Sequence, residues 1–173
     1  MRVIARTFTS SLTIVEEHNI VIKTIIPHKE ILFGVAERQT HWLEILKDSY
    51  IVPQLLYVNG VVIVMDYVGE VLTATNTPID FEKQLNYILE VLESYDCCHN
   101  DIRPENLCVK DKYIYIIDFE WATSKGEKVP NRWPSKLGSV FKGDQGFNDA
   151  HSIKKVIGWI NQGQEKLKQE IPT

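Results

Sequence analysis

Long apolar runs are scarce in this chain of 173 residues: the longest, Val61–Met65 and Ile114–Ile117, have the length of strands. Neither approaches the roughly 18 apolar residues of a membrane span, so no membrane span is expected. The opening MRVIARTFTSSLTIVEEHN is broken by polar residues every few positions and lacks the apolar core of a signal peptide. Cysteine is sparse as well. Cys97, Cys98 and Cys108 are odd in number, two of them adjacent, and none forms a C-x-x-C pair. That excludes a disulfide framework and a C-x-x-C zinc site, and it points to reduced thiols in a cytoplasmic compartment. Positive charge is in deficit, with 19 Lys and Arg against 23 Asp and Glu and a net charge of −4. No nucleic-acid partner is therefore expected. Glycine is thin, nine in all, and never arranged as G-x-G-x-x-G.

What is present is an ordinary globular balance, 44% hydrophobic and 24% charged. Disorder and fibrous classes are excluded, and the length suits one compact domain or two small lobes sharing a cleft. β-branched and aromatic clusters at Val3–Phe8, Leu12–Val15 and Ile20–Ile22 predict three strands, with Glu16–Asn19 as a hairpin turn and Pro27 closing the third strand. Trp42, Leu43 and Leu46 predict a helix over 36–47. Asn59-Gly60, flanked by Leu55–Val58 and Val61–Met65, is a strong hairpin signal.

After Tyr67 the character changes. Gly69 and the polar run 73–77 read as a linker. Asp80 is a candidate N-cap of a helix running to about Tyr95, with Leu85, Ile88, Leu89 and Leu92 on one face. A polar loop follows over 99–106, then two strands, 107–109 and 113–117, joined by Lys110–Lys112. The stretch 121–146, with Pro130, Pro134, Gly138 and Gly143, reads as loop, and 150–160 as a last helix. Trp121, Trp133 and Trp159 read as packing residues. Lys154, Lys155, Lys166 and Lys168 read as a solvated helical face. The fold class expected is α+β: a small antiparallel sheet with one helix over 1–65, a short connector at 66–70, and a mainly helical lobe over 71–173.

Two segments carry chemistry: HNDIRPEN (His99–Asn106) and IIDFEWA (Ile116–Ala122). Asp101 and Asn106 lie five positions apart on one loop, Asp118 leaves the end of an apolar strand, and a short hairpin joins the two segments. Such hard oxygen groups suit Mg²⁺, which keeps waters and phosphate oxygens in its shell, and Asp101 is placed to take a proton from a hydroxyl.

These segments resemble the protein-kinase-like superfamily, with its HRDLKPEN catalytic loop and DFG metal segment. The resemblance implies a bilobal kinase-like fold and a role for each matched residue. Asp101 would orient the acceptor hydroxyl, and Arg103 would touch the γ-phosphate. Asn106 and Asp118 would hold metal, and His99 would support the loop. VIK, ending at Lys23, resembles the strand whose lysine pairs with the α- and β-phosphates. IVMDYVG resembles the hinge, with Met65 as gatekeeper and the Asp66, Tyr67 and Val68 backbone against adenine. Asp149 in DAHSI resembles the aspartate that buttresses the catalytic loop. ATP and Mg²⁺ are the implied cofactors.

The departures are as informative. The turn Phe8–Leu12 replaces the glycine loop, leaving the Ser10 and Ser11 backbone to meet phosphate. Gln39 stands where the helix glutamate paired with the lysine belongs, while Glu37 lies about 200° away around the helix and Glu44 also faces elsewhere. DFG is DFE, as in aminoglycoside and choline kinases. Only 31 positions separate Asp118 from Asp149, with no APE motif and no usual activation loop expected. The reading is an ATP- and Mg²⁺-dependent phosphotransferase acting on a hydroxyl, with a protein Ser/Thr acceptor favoured. The alternatives are a small-molecule kinase of the aminoglycoside or choline type and a pseudokinase-like binding module.

Overall fold

Alternation of β-branched residues with short polar turns builds the first half of the molecule. The computed structural model describes residues 2–127, 133 and 148–169, with side chains from Thr7 onward. Strands β1 (Arg2–Arg6), β2 (Ser10–Val15), β3 (Ile20–Ile25), β4 (Leu55–Asn59) and β5 (Val62–Asp66) form an antiparallel sheet in the order β1-β2-β3-β5-β4. The β2–β3 turn closes through Asn19 in the left-handed region, φ 53°, and the β4–β5 turn through Gly60, φ 55°. Both turns match expectation, and in each a residue type that tolerates positive φ stands where the hairpin needs it.

Two helices, not one, follow β3: α1 (Pro27–Phe33) and α2 (Val35–Ile45), with α2 packed on β4 and β5 and α1 packed on α2. Pro27 begins a helix instead of merely ending a strand. Its ring presets φ at the first helical position, where no N–H is needed. Gly34, φ 62°, ends α1 and opens α2. Both oxygens of Glu30 then accept the Ala36 and Glu37 N–H groups, capping α2 from outside. Val35, Ala36, Gln39, Trp42 and Leu43 form the buried stripe of α2. On β3, Lys23 and Ile25 share the inward face, and Lys23 pairs across the ladder with Ile63.

The second half is the other lobe. It holds α3 (Phe81–Ser94), with Phe81, Leu85, Ile88, Val91 and Leu92 buried, packed on α4 (Asp149–Gln169), whose Ser152, Ile153, Val156 and Ile160 are buried. Asp80 stands at the N-cap of α3, but its carboxylate accepts the Gln84 side chain at 2.7 Å and leaves the first-turn N–H groups alone. At α4 the cap is Asn148, whose Oδ1 accepts the His151 N–H. Trp121 and Trp133 are buried, and their rings meet edge to face at 5.2 Å. Trp159 is 43% exposed, in contrast to the packing role expected of it, because Val156 and Ile160 take the inward positions.

Short strands finish the second half. The order β6-β8-β9 joins β6 (Glu70–Val71), β8 (Leu107–Lys110) and β9 (Tyr113–Ile116), while β7 (Cys97–Cys98) pairs with β10 (Thr123–Ser124). β6 lies in the stretch read as linker. Gly69 allows it: at φ 94° a Cβ there would stand 2.0 Å from the Val109 carbonyl oxygen. Pro130, Pro134, Gly138 and Gly143 lie outside the described residues. Among the described residues no helix is long and apolar enough to cross a membrane.

The three thiols are unpaired, with Cys97 and Cys108 buried and Cys98 half-buried. Burial, with Glu70 adding repulsion, pushes the Cys108 thiol from 9.0 up to about 12. Burial likewise raises Cys97 and Cys98. A raised thiol pKa means that the neutral form is the one the fold favours. The stabilisation from Cys108 is complete below 9.0 and is lost as pH rises towards 12. At pH 8 the native protein should therefore alkylate slowly at all three thiols, fastest at Cys98, and all three should react at free-thiol rates in urea. Peptide-mapped alkylation kinetics check this.

Candidate active site

A cavity of about 340 Å³ opens between the five-stranded sheet and the helical half. Leu12, Ile14, Val21, Met65, Cys108 and Ile117 form its apolar end, and Lys23, Gln39, Arg103, Asn106 and Asp118 its polar end. A cleft that is mostly apolar with a few convergent polar groups is the usual form of a ligand site.

The loop carrying Asp101 is held from several sides. Asp149, the first residue of α4, accepts the His99 N–H at 2.6 Å and the Asn100 N–H at 3.0 Å. The Asp101 N–H donates to His99 Nδ1 at 3.2 Å, so Nδ1 is the acceptor nitrogen. Nε2 then carries the proton and donates to the Ile117 carbonyl at 2.9 Å. The His99 ring packs edge-on against Phe119, 4.7 Å between centroids. Asn100, at φ 65°, donates its amide to the Trp121 carbonyl and the Thr123 hydroxyl, both at 2.9 Å. Sequence reasoning passed over Asn100. Its signal was the residue type: Asn enters the left-handed region readily, and its short amide can reach neighbouring backbone.

Asp101 is buried. Its Oδ2 accepts the Asn106 amide at 2.9 Å and lies 3.6 Å from Arg103 Nε. Asn106 gives both amide hydrogens to Asp101, the second to its carbonyl at 2.8 Å. This leaves the Asn106 side-chain oxygen as its acceptor. Asp118 follows β9 in the left-handed region, φ 71°, and is half-buried.

Lys23 is buried, and its ammonium meets three oxygens: Asp118 Oδ1 at 2.7 Å, Glu120 Oε1 at 2.8 Å and Gln39 Oε1 at 3.5 Å. Burial alone would lower its pKa, but Asp118 and Glu120 more than offset this and hold it above the ordinary lysine range. Burial pushes Asp118 up, yet Lys23 outweighs it and keeps that carboxyl below its usual range. Glu120 is raised, by burial first and by repulsion from Asp118 second. Its other oxygen, Oε2, accepts the Thr9 hydroxyl. Gln39 is neutral, yet Lys23 is doubly paired, because its carboxylates, Asp118 and Glu120, come from the 116–122 segment and not from the helix.

The turn before β2 also differs from expectation. Thr7 Oγ1 accepts the Thr9 N–H at 3.3 Å and the Ser10 N–H at 3.0 Å. Ser10 lines the cavity but is buried with its N–H already engaged, and Ser11 pairs across β1 and β3. The backbone of this turn thus offers phosphate less than the residue types suggested. Asp66, Tyr67 and Val68 all line the cavity, but they differ in what they present. The Tyr67 N–H donates to the Asn19 carbonyl at 2.9 Å, and its carbonyl accepts Lys110 Nζ at 2.8 Å, while Lys110 also reaches Asn19 Oδ1 at 3.2 Å. The Asp66 N–H donates to the Gln54 carbonyl. The Val68 N–H makes no backbone hydrogen bond among the described residues.

The sequence pattern of the RIO domain matches residues 6–130. This chain belongs to the RIO domain family. No curated protein matches it. RIO domains are atypical members of the protein-kinase-like superfamily, so this RIO chain has a kinase-like fold, and kinase-like phosphotransfer with ATP is the activity its family carries. The match covers Lys23, the whole Asp101–Asn106 loop and Asp118, and ends before Asp149.

Asp149→Ala would leave the His99 and Asn100 N–H groups without their acceptor. Each such partly buried donor costs about 1–3 kcal/mol at most, so the variant should unfold at lower urea with an unchanged slope. Asp149→Asn, which keeps one acceptor oxygen, should fall between the two.

Proposed function

We propose that this RIO chain transfers the γ-phosphate of ATP to a hydroxyl, with a protein Ser/Thr as acceptor. The observation that carries the reading is the convergence of Lys23, Asn106 and Asp118, drawn from a strand, a loop and the segment after β9, on one end of one cavity, with Asp101 held directly behind Asn106. Adenine fits the apolar end beneath Met65, where the Val68 N–H is the open donor. The hinge is then 66–70, between a sheet lobe over 1–65 and a mainly helical lobe over 71–173. Lys23 and Arg103 supply positive charge for the phosphates. Asp101, its Oδ2 fixed by the Asn106 amide, orients the acceptor hydroxyl in line and takes its proton as the new bond forms.

The donor chemistry fits Mg²⁺. Asp118 gives one oxygen to Lys23, and Asn106 turns its amide hydrogens to Asp101, so both keep a hard oxygen beside the cavity. No cluster of three or more His, Cys, Asp or Glu exists among the described residues to cage a cation unaided. Two protein oxygens completed by water and phosphate is a typical magnesium arrangement. Bound there, the ion would neutralise charge developing on the transferred group.

A second reading, a nucleotide-binding module without transfer, is supported by the closed Thr7–Ser10 turn and by the full set of partners on Lys23. Glu120, shared with the aminoglycoside and choline kinase pattern, is what favours a small-molecule acceptor. The unpaired cysteines support a reducing compartment such as the cytoplasm.

Incubation with γ-labelled ATP and Mg²⁺, with and without a generic protein substrate, tests the reading. Label on protein seryl or threonyl oxygen is expected. Asp101→Ala should lower kcat by about 10²–10⁴-fold, and Asp118→Ala should abolish transfer while leaving Mg-free nucleotide binding. No transfer and no ATP-induced thermal shift would sink the enzyme reading, and a shift without transfer would favour the binding module.

A further inference from the structure

The buried ammonium of Lys23 needs a counter-charge whatever occupies the cavity, because an unpaired buried charge is costly. Three oxygens surround it, and they are not equivalent. Gln39 is neutral and the most distant, at 3.5 Å. Asp118 lies at the cavity mouth with its side chain 23% exposed, whereas Glu120 is 3% exposed. Glu120 is also pinned at both oxygens, Oε1 on Lys23 and Oε2 on the Thr9 hydroxyl. The Thr9 carbonyl in turn accepts the Ile26 N–H at 2.8 Å, so this anchor belongs to the frame of the sheet.

We propose that Glu120 is the positioning residue for Lys23, standing in for a helix carboxylate and holding the ammonium where phosphate oxygens reach it. This inference rests on the reading of Lys23 as a phosphate contact. When Asp118 is drawn to a cation and Lys23 turns one N–H to phosphate, Glu120 remains as the fixed anion. Two residues of one short segment, Asp118 and Glu120, then set the metal side and the lysine side together. The position of α2, which brings only Gln39 to the lysine, does not gate the site.

The test is calorimetric titration of ADP and of adenosine in EDTA, so that no metal enters. Adenosine shares the base contacts but has no phosphates. Glu120→Gln should weaken ADP by about tenfold or more, the factor of a charged hydrogen bond, and should leave adenosine within about twofold. Adding Gln39→Glu, which puts a carboxylate back on the helix beside Lys23, should recover most of the ADP affinity, a rescue that a purely structural glutamate would not show. Equal weakening of ADP and adenosine, or no rescue in a folded double variant, overturns the proposal. Should Glu120→Gln not fold, Thr9→Val decides. A selective loss of ADP affinity supports the proposal, and unchanged ADP affinity overturns it. The two readings fail differently. If wild type binds neither ligand, the phosphotransferase reading fails. If Lys23→Ala loses ADP selectively and Glu120→Gln does not, only the role of Glu120 fails.

Discussion

A lysine ammonium with almost no exposure sets the terms for the rest of the molecule. Lys23 is on the inward face of β3, where an unpaired charge would cost several kcal/mol. That cost is offset by groups about a hundred residues away, Asp118 and Glu120, so the two halves of the chain cannot settle independently. The pairing is asymmetric in charge, one cation to two carboxylates, and it drives the two acids apart. Asp118 is held below the usual carboxyl range and Glu120 above it. The better-exposed acid is thus the more firmly ionised. It is also the one that lines the cavity.

A second constraint fixes the loop that carries Asp101. The loop 99–106 has little regular structure, so its backbone must be satisfied one group at a time. Asp149 takes two N–H groups, His99 bridges to Ile117, Asn100 reaches across to Trp121 and Thr123, and the Ile117 N–H returns to the Asn106 carbonyl. These bonds tie the loop to the strand that ends at Asp118. Asp101 and Asp118 therefore keep their relation through shared backbone contacts.

Much of this was legible in the sequence, and the reasons differ by element. Asn59-Gly60 and Glu16–Asn19 announced their hairpins because positive φ demands particular residues. The apolar stripe of α2 followed from helical spacing, and Gln39 beside the lysine from the resemblance to the kinase helix. Pro27 was ambiguous, since proline both ends strands and opens helices. Only Gly34, seven positions on, marks the segment between as helix. β6 was hidden because a two-residue strand has no period. Glu120 as partner of Lys23 was out of reach, because it depends on a contact 97 positions away. That the helix brings a neutral Gln39 was visible; that Glu120 supplies a carboxylate to the same lysine was not.

The closed turn at Thr7–Ser10 belongs to the same set of contacts. A glycine-rich loop binds phosphate by lending backbone N–H groups. Here Thr7 Oγ1 takes two of them, and Thr9 turns its hydroxyl inward to Glu120. A turn closed in this way keeps the Thr9 and Ser10 N–H groups for itself. Lys23 and Arg103 are the cations lining that end of the cavity, and acids of the two motif segments lie beside them: Asp118 and Glu120 beside the first, Asp101 at 3.6 Å from the second. The Thr9 hydroxyl is thus one link in a chain of contacts that runs through Glu120 to the Lys23 ammonium.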